Sequence, residues 1–192
     1  MSQTTSQPAP SFTAMRDLTG GYTLDPMHSH LGFVARHAMV TKVRGSFTDF
    51  EGAVAVGDSL EAASISVTLQ VASVDTRNPD RDGHLLASDF FDAETYPTIT
   101  FESTEVAVAD EDTLRVTGDL TIKGTTQHVR IDFEYGGTST DPYGMQRVGF
   151  EGRTTVLRSD FGMTFNAALE TGGVLVSDKI TLEIEISAVK DA

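Results

Sequence analysis

A chain of 192 residues is long enough to form one domain that buries a sizeable hydrophobic core. Its formal net charge of −14 argues against nucleic acid as a partner, because binding to phosphates normally requires clustered lysine and arginine. The sequence contains no cysteine, which excludes disulfides and thiolate metal ligands.

The first twenty residues differ in composition from the rest of the chain. Residues 1–20 are rich in Ser, Thr, Gln and Pro and contain no apolar run of the length that a signal peptide needs. They predict a disordered N-terminal leader followed by one domain over residues 21–192, in a cytoplasmic protein. No segment approaches the roughly 20 apolar residues of a transmembrane helix, so any membrane contact is expected to be peripheral.

From Gly21 onward, apolar residues recur at every second position, the period of a strand with one buried face. Several segments approach ten residues, which is longer than most strands and suits a barrel. Turn signals at Lys123-Gly124, at residues 57–59 and at Gly136-Gly137 favour antiparallel connections, and a closed meander leaves no exposed edge. We therefore predict an all-β fold, an eight-stranded antiparallel barrel. Its strands are expected at about 29–37, 45–56, 64–71, 98–108, 114–122, 129–135, 146–158 and 180–187.

Two long connections interrupt this pattern, and connections above about 12 residues are often functional. In the first, residues 75–97, Asn78-Pro79 is typical of a helix cap followed by proline at the first helical position, which predicts a short helix. The second connection, residues 159–177, contains Phe161, Met163 and Phe165.

Histidine and charged residues could carry chemistry at two places. His28 and His30 would share one face of a strand and could chelate a metal, but no metalloenzyme spacing accompanies them, so we predict no metal site. Asp82 and His84 could act as an acid and a base, but no nucleophile elbow, phosphate loop or dinucleotide motif is present. We therefore predict that the protein is not an enzyme.

The composition does not decide whether the interior of the barrel is filled or hollow. Eight strands enclose just enough space to be filled by side chains or to hold one slender ligand. Leu85, Leu86, Phe90 and Phe91 place four large apolar groups beside the charges of the predicted helix. They could form a lid on the barrel end, the entrance of a tunnel, or both.

The domain contains, in this order, the stretches YTLD (22–25), HSH (28–30), GSF (45–47), FEG (50–52), RDGHL (81–85), DFFD (89–92), YPTITF (96–101), GDLTIKG (118–124) and RSDFG (158–162). On these stretches the sequence resembles the YceI family of lipid-binding proteins, over nearly all of residues 21–189. The resemblance implies a lipocalin-like eight-stranded barrel that binds polyisoprenoids or similar long-chain amphiphiles, often as a dimer.

With this resemblance, we expect a protein that carries or sequesters a long-chain isoprenoid or fatty amphiphile without a cofactor. An enzyme acting on an isoprenoid, a packed barrel that serves as a structural or interaction domain, and a carrier of quinone or haem are the alternatives. The polar head of the ligand is expected near His30, Arg81, His84 and Arg158. The hydrophobic tunnel is expected to be lined by Phe33, Phe50, Val67, Leu69, Leu85, Phe90, Phe91, Phe101, Leu120, Phe133, Phe150 and Phe165.

Overall fold

The computed structural model describes Met15 and residues 17–192 of the chain. Within residues 17–192 it contains eleven strands, one α-helix, α1 (Pro79–Leu86), and three 3₁₀ turns at Leu60–Ala62, Val71–Ser73 and Arg158–Phe161. The strands are β1 (Gly20–Leu24), β2 (His30–His37), β3 (Thr41–Phe47), β4 (Phe50–Val56), β5 (Ser64–Gln70), β6 (Val74–Asp75), β7 (Thr98–Val108), β8 (Thr113–Ile122), β9 (Thr125–Thr140), β10 (Gln146–Leu157) and β11 (Lys179–Lys190).

These strands form a closed, antiparallel, eight-stranded barrel, as the sequence predicts. β1 and β2 pair with successive parts of the same edge of β11, so together they form one interrupted strand. β3 and β4 form a second interrupted strand, and β5 and β6 form a third. The remaining strands follow in chain order, and the pairing of β1 and β2 with β11 closes the ring.

Serine side chains repair the hydrogen bonding where these strands are interrupted. Between β1 and β2, Ser29 Oγ accepts a hydrogen bond from Ser187 N–H at 2.9 Å and donates one to the Ser187 carbonyl at 3.2 Å. At the other interruptions, Ser73 Oγ accepts from the N–H groups of Thr48 and Asp49 at 3.1 and 3.0 Å. These bonds keep the ladder satisfied where the backbone bends, because unpaired backbone groups would be costly there.

Two sequence predictions about strand boundaries are wrong. Strand β1 is not among the eight predicted segments. Gly136-Gly137 is not a turn but lies within β9, where the register with β10 shifts next to Gly149. Glycine inside a strand often marks such a bulge, and the chain reverses instead at residues 141–145. Lys123-Gly124 does form the predicted turn, with both residues at positive φ.

The predicted leader falls mostly outside the described residues, since residues 1–14 and 16 are not described, and its boundary stays a prediction. Met15 and Leu18 are buried in one hydrophobic cluster, with Tyr22 and Leu114 among its members. A second cluster, which includes Phe91 and Phe161, lies at the helix-bearing end of the barrel. The core therefore has two parts, one towards each end.

One ion-pair group ties the interruption after β1 to the hairpin between β9 and β10. Arg147 donates hydrogen bonds to Asp25 and to Asp141, and His28 Nδ1 lies 2.8 Å from the same Asp25 oxygen, Oδ2, that accepts from Arg147. Burial raises the pKa of Asp25, but the bonds from Arg147 and His28 outweigh that effect and hold the pKa at about 2. The charged form of Asp25 therefore stabilises the fold.

We predict that Asp25→Asn lowers the free energy of unfolding at neutral pH by about 1–3 kcal/mol, because charge-assisted hydrogen bonds are lost. Since folding depresses the pKa of Asp25, its contribution is present above pH 4 and declines as the pH falls from about 4 to about 2. The difference between wild type and variant should shrink over that range. Urea unfolding at several pH values measures it.

Asp132→Asn is the matched control, because Asp132 also pairs with an arginine, Arg115, but both side chains are about two-fifths exposed. Exposed pairs contribute only about 0–1 kcal/mol. An equal loss of stability in the two variants at neutral pH would contradict the structural role given to Asp25.

Candidate functional site

A cavity runs along the inside of the barrel. Its volume, counted as the space open to the centre of a water molecule, is about 270 Å³. Its wall consists of inward residues of all eight strands together with residues of the two long connections, 76–97 and 158–178. A single water needs only about 10–15 Å³ on this measure. The lining is almost entirely Val, Leu, Ile and Phe, so the interior is an apolar chamber and not a core filled by its own side chains.

Glycines in the barrel wall keep this chamber open. Phe133 lies against Gly152 on the paired strand, and a Cβ atom added at Gly152 would lie 2.5 Å from the Phe133 ring. In the same way, a Cβ atom added at Gly45 would lie 2.4 Å from the Phe33 ring, and one added at Gly118 would lie 2.5 Å from the Phe101 ring. Because glycine leaves room beside it, each ring can lie against the wall instead of projecting into the lumen.

All but two of the residues predicted to form the tunnel lie on the cavity wall. The exceptions are Phe50, which is buried in the core without lining the cavity, and Phe165, which lies in the connection between β10 and β11. The predicted residues on the wall are Phe33, Val67, Leu69, Leu85, Phe90, Phe91, Phe101, Leu120, Phe133 and Phe150.

Helix α1 and its flanks, residues 76–97, form the first lid over the barrel end. The Asn78 side chain caps the helix by accepting a hydrogen bond from Arg81 N–H at 3.1 Å, as the sequence predicts. The lid is tied to β6 through Thr76, which is buried. Asp82 accepts from the N–H and hydroxyl groups of Thr76, and Arg81 donates to its hydroxyl and carbonyl oxygens at 2.7 and 2.9 Å.

Residues 158–178 form the second lid, which folds around Arg158. The Arg158 guanidinium is buried and donates to three backbone carbonyls, those of Met163 at 2.6 Å, Ser177 at 3.0 Å and Val176 at 3.4 Å. Asn166 adds a second clamp, since its amide both donates to and accepts from the backbone of Val176. An irregular segment is thereby held in one conformation.

An aromatic cluster joins the two lids. The centroid of the His84 ring, in α1, lies 5.0 Å from the ring centroids of both Phe90 and Phe165. The centroids of those two phenylalanine rings lie 5.4 Å apart. His84 Nε2 also lies 3.1 Å from the carboxylate of Asp89. Phe90 and Leu85 line the cavity directly below this cluster, so the contact between the lids covers the chamber.

The four residues predicted to meet a polar head are placed very differently. Arg158 is the charged residue on the cavity wall in the described part of the chain. Burial lowers the pKa of its guanidinium, an effect partly opposed by Asp178, and no carboxylate of the described residues lies within 4.0 Å of it. Arg81 and His84 bind other parts of the first lid, and His30 is exposed on β2.

The structure does not pair Asp82 with His84, the residues considered as an acid and a base. Asp82 binds Thr76, whereas His84 faces Asp89 and the aromatic cluster. Among residues 15 and 17–192, no three His, Asp or Glu side chains converge as a metal site would require. That same part of the chain has no helix of sufficient length and apolarity to span a bilayer.

Comparisons with known proteins agree with this architecture. The family model of the YceI-like domain matches residues 22–188. A UPF0312 protein of Staphylococcus aureus strain N315 is 39% identical over 165 residues, which cover 84% of this chain and 93% of that protein.

Two solved structures share the fold. A YCEI protein of Campylobacter jejuni is 33% identical with a TM-score of 0.71, covering 82% of this chain and 90% of that one. A polyisoprenoid-binding domain from Saccharophagus degradans is 17% identical with a TM-score of 0.70, covering 88% of this chain and 98% of that one. From the family match and the barrel described above, this chain belongs to the YceI-like family.

Proposed function

We propose that this protein binds one long-chain amphiphile, a polyisoprenoid or a fatty chain, inside the barrel and carries or sequesters it. The observation that carries this proposal is the apolar cavity of about 270 Å³ inside a closed barrel. The Saccharophagus degradans domain of the same fold, which binds polyisoprenoid, supports the proposal at the level of the fold.

Apolar burial alone would supply much of the affinity. Transfer of apolar surface from water is favourable by about 25 cal/mol per Å², or about 0.8 kcal/mol for each buried methylene group. An unfilled apolar cavity also destabilises a protein, by about 24 cal/mol per Å³. A chain that fills the chamber would therefore stabilise the fold by several kcal/mol.

Arg158 is the group that we propose for the polar head. It is a buried cation on an otherwise apolar wall, and its three bonds to carbonyls leave part of its five-donor capacity unused. A head that accepts hydrogen bonds would fit there, and an anionic head would also balance the buried charge. His84 and Arg81 would then hold the first lid in place over that head.

The first prediction concerns chain length. Affinity for straight-chain fatty alcohols should rise by up to about fourfold for each added methylene until the chamber is full, and should then level off. Thermal-shift titrations with a series of alcohols measure this dependence. A packed barrel would show no dependence on chain length, and that result would contradict the proposal.

The second prediction uses the wall glycines. Gly152→Ala should push the Phe133 ring into the lumen, because the new methyl group would lie 2.5 Å from the ring. We expect affinity for long chains to fall at least tenfold. Gly149→Ala, also on β10, is the matched control, since its Cβ would meet no atom closer than 3.9 Å. Isothermal titration with a fluorescent fatty acid compares the two variants.

Adding Phe133→Leu to Gly152→Ala should restore part of the lost affinity, because the smaller side chain can share the space with the methyl group. If Gly152→Ala and Gly149→Ala bind equally well while both remain folded, the lumen at this level is not where the chain lies.

A further inference from the structure

The hairpin between β2 and β3 has an unusual tip. Ala38 and Met39 adopt left-handed conformations, with φ of 50° and 60°, and the N–H of Val40 donates to the His37 carbonyl at 3.0 Å. Such turns favour glycine or asparagine, because other side chains are strained there. Strain of this kind is often retained where a segment has a function.

The same tip presents apolar side chains to solvent. Val40 is 77% exposed, Met39 is 53% exposed, and Val174, on the neighbouring second lid, is 39% exposed. We call these three residues the apolar tip. Exposed apolar groups of this size, carried on a strained turn, indicate an interaction surface more than a folding requirement.

Three cationic side chains lie next to the apolar tip, on the two strands of the hairpin. Arg36 on β2 lies opposite Lys42 on β3, and Arg44 follows on the same face two residues later. All three are exposed, and in the described part of the chain no carboxylate lies within 4.0 Å of any of them. We call these three residues the basic flank. Like charges on opposed residues disfavour strand pairing, so the basic flank does not help the hairpin to fold. It also stands out in a chain whose net charge is −14.

The hairpin is joined to the cavity. The Ala38 N–H donates to the Leu175 carbonyl at 2.7 Å, and the Ser177 N–H donates to the Arg36 carbonyl at 2.9 Å. Ala35 on this hairpin and Val176 on the second lid both line the cavity. The apolar tip and the basic flank therefore lie at the end of the barrel where the lids meet its wall.

The opposite end of the barrel offers a comparison. Tyr143, in the β9–β10 hairpin, is 88% exposed there, and Met27, in the nearby interruption between β1 and β2, is 86% exposed. The neighbouring cation, Arg147, is however paired with both Asp25 and Asp141. Exposed apolar groups thus occur at both ends, but unpaired cations accompany them at the hairpin.

We propose that the β2–β3 hairpin docks on an anionic lipid bilayer, with the apolar tip among the acyl chains and the basic flank on headgroup phosphates. Interactions between exposed charges are largely screened beyond about 8 Å at physiological salt. The cations of the basic flank can therefore bind headgroups although the whole chain is acidic. The apolar tip and the basic flank would then orient the molecule with its lids towards the membrane. This inference rests on the proposed function, because the ligand would pass between the bilayer and the cavity at this end.

Flotation with lipid vesicles tests the proposal on the full chain. Wild type should bind vesicles of phosphatidylcholine with about 30 mol% phosphatidylglycerol more tightly than vesicles of phosphatidylcholine alone. Met39→Ser combined with Val40→Ser, and separately Lys42→Glu, should each weaken that binding about tenfold or more. Lys42→Glu should fold normally, because the new carboxylate would lie opposite Arg36 on the paired strand and opposite charges favour strand pairing.

Two controls match these changes. Met27→Ser combined with Tyr143→Ser removes apolar groups that are more exposed than Met39 and Val40 and lie away from the hairpin. Arg130→Glu, on the exposed surface of β9, changes the net charge by the same amount as Lys42→Glu. Both should bind anionic vesicles like wild type. Equal losses in controls and hairpin variants would overturn the proposal, as would a hairpin variant that binds unchanged.

Two further measurements separate this inference from its alternatives. If Lys42→Glu dissociates an oligomer in vesicle-free solution, seen by light scattering, the hairpin binds a second copy and the proposal is overturned. Binding of a fluorescent fatty acid, measured without vesicles, should be the same in Lys42→Glu and in wild type. If wild type fails to bind vesicles but binds fatty acid, only the docking proposal is contradicted. If wild type fails to bind fatty acid, the proposed function is contradicted.

Discussion

Backbone pairing of the interrupted strand β1–β2 with β11 closes the barrel, and the site depends on that closure. The seam consists of two short ladders, one from Tyr22 opposite Lys190 to Leu24 opposite Ala188 and one from His30 opposite Glu185 to Val34 opposite Thr181. Because the ring is closed, alternate residues of every strand face a single interior that has no sheet edge. An apolar chamber can then stay separate from water along its whole length, and exchange with the outside is confined to the ends.

The two ends are built differently. One is closed by a hydrophobic cluster that includes Met15, Leu18 and Tyr22. The other is covered by two lids whose contact is an aromatic cluster and whose internal bonds centre on Thr76 and Arg158. Covers that are held by a few local contacts are easier to open than a strand ladder, so the lidded end is where a ligand would enter and leave.

Much of the fold could be predicted from the sequence because it rests on local patterns. Alternation of apolar residues gave the long strands, and Asn78-Pro79 gave the start of the helix. Strand β1 is only five residues long, and Gly136-Gly137 resembles a turn until its partner strand shows that it is a bulge. Errors therefore arose where the structure depends on residues distant in the sequence.

The candidate site shows the same limit. Large inward residues could be listed from their positions, but whether they fill the barrel depends on what each one contacts. Phe133 leaves the lumen open because Gly152, on another strand, makes room for its ring. Arg158 likewise resembled a free head-group ligand, whereas the structure shows that it also holds the second lid through three carbonyls. The cytoplasmic location of the protein stays a prediction.

The most direct test of the central claim is a native mass spectrum of the freshly purified protein, recorded beside mass spectrometry of an organic extract from the same sample. The account predicts one long-chain amphiphile for each barrel, released by the solvent. A ligand-free barrel that also fails to take up added polyprenols and fatty acids would contradict it.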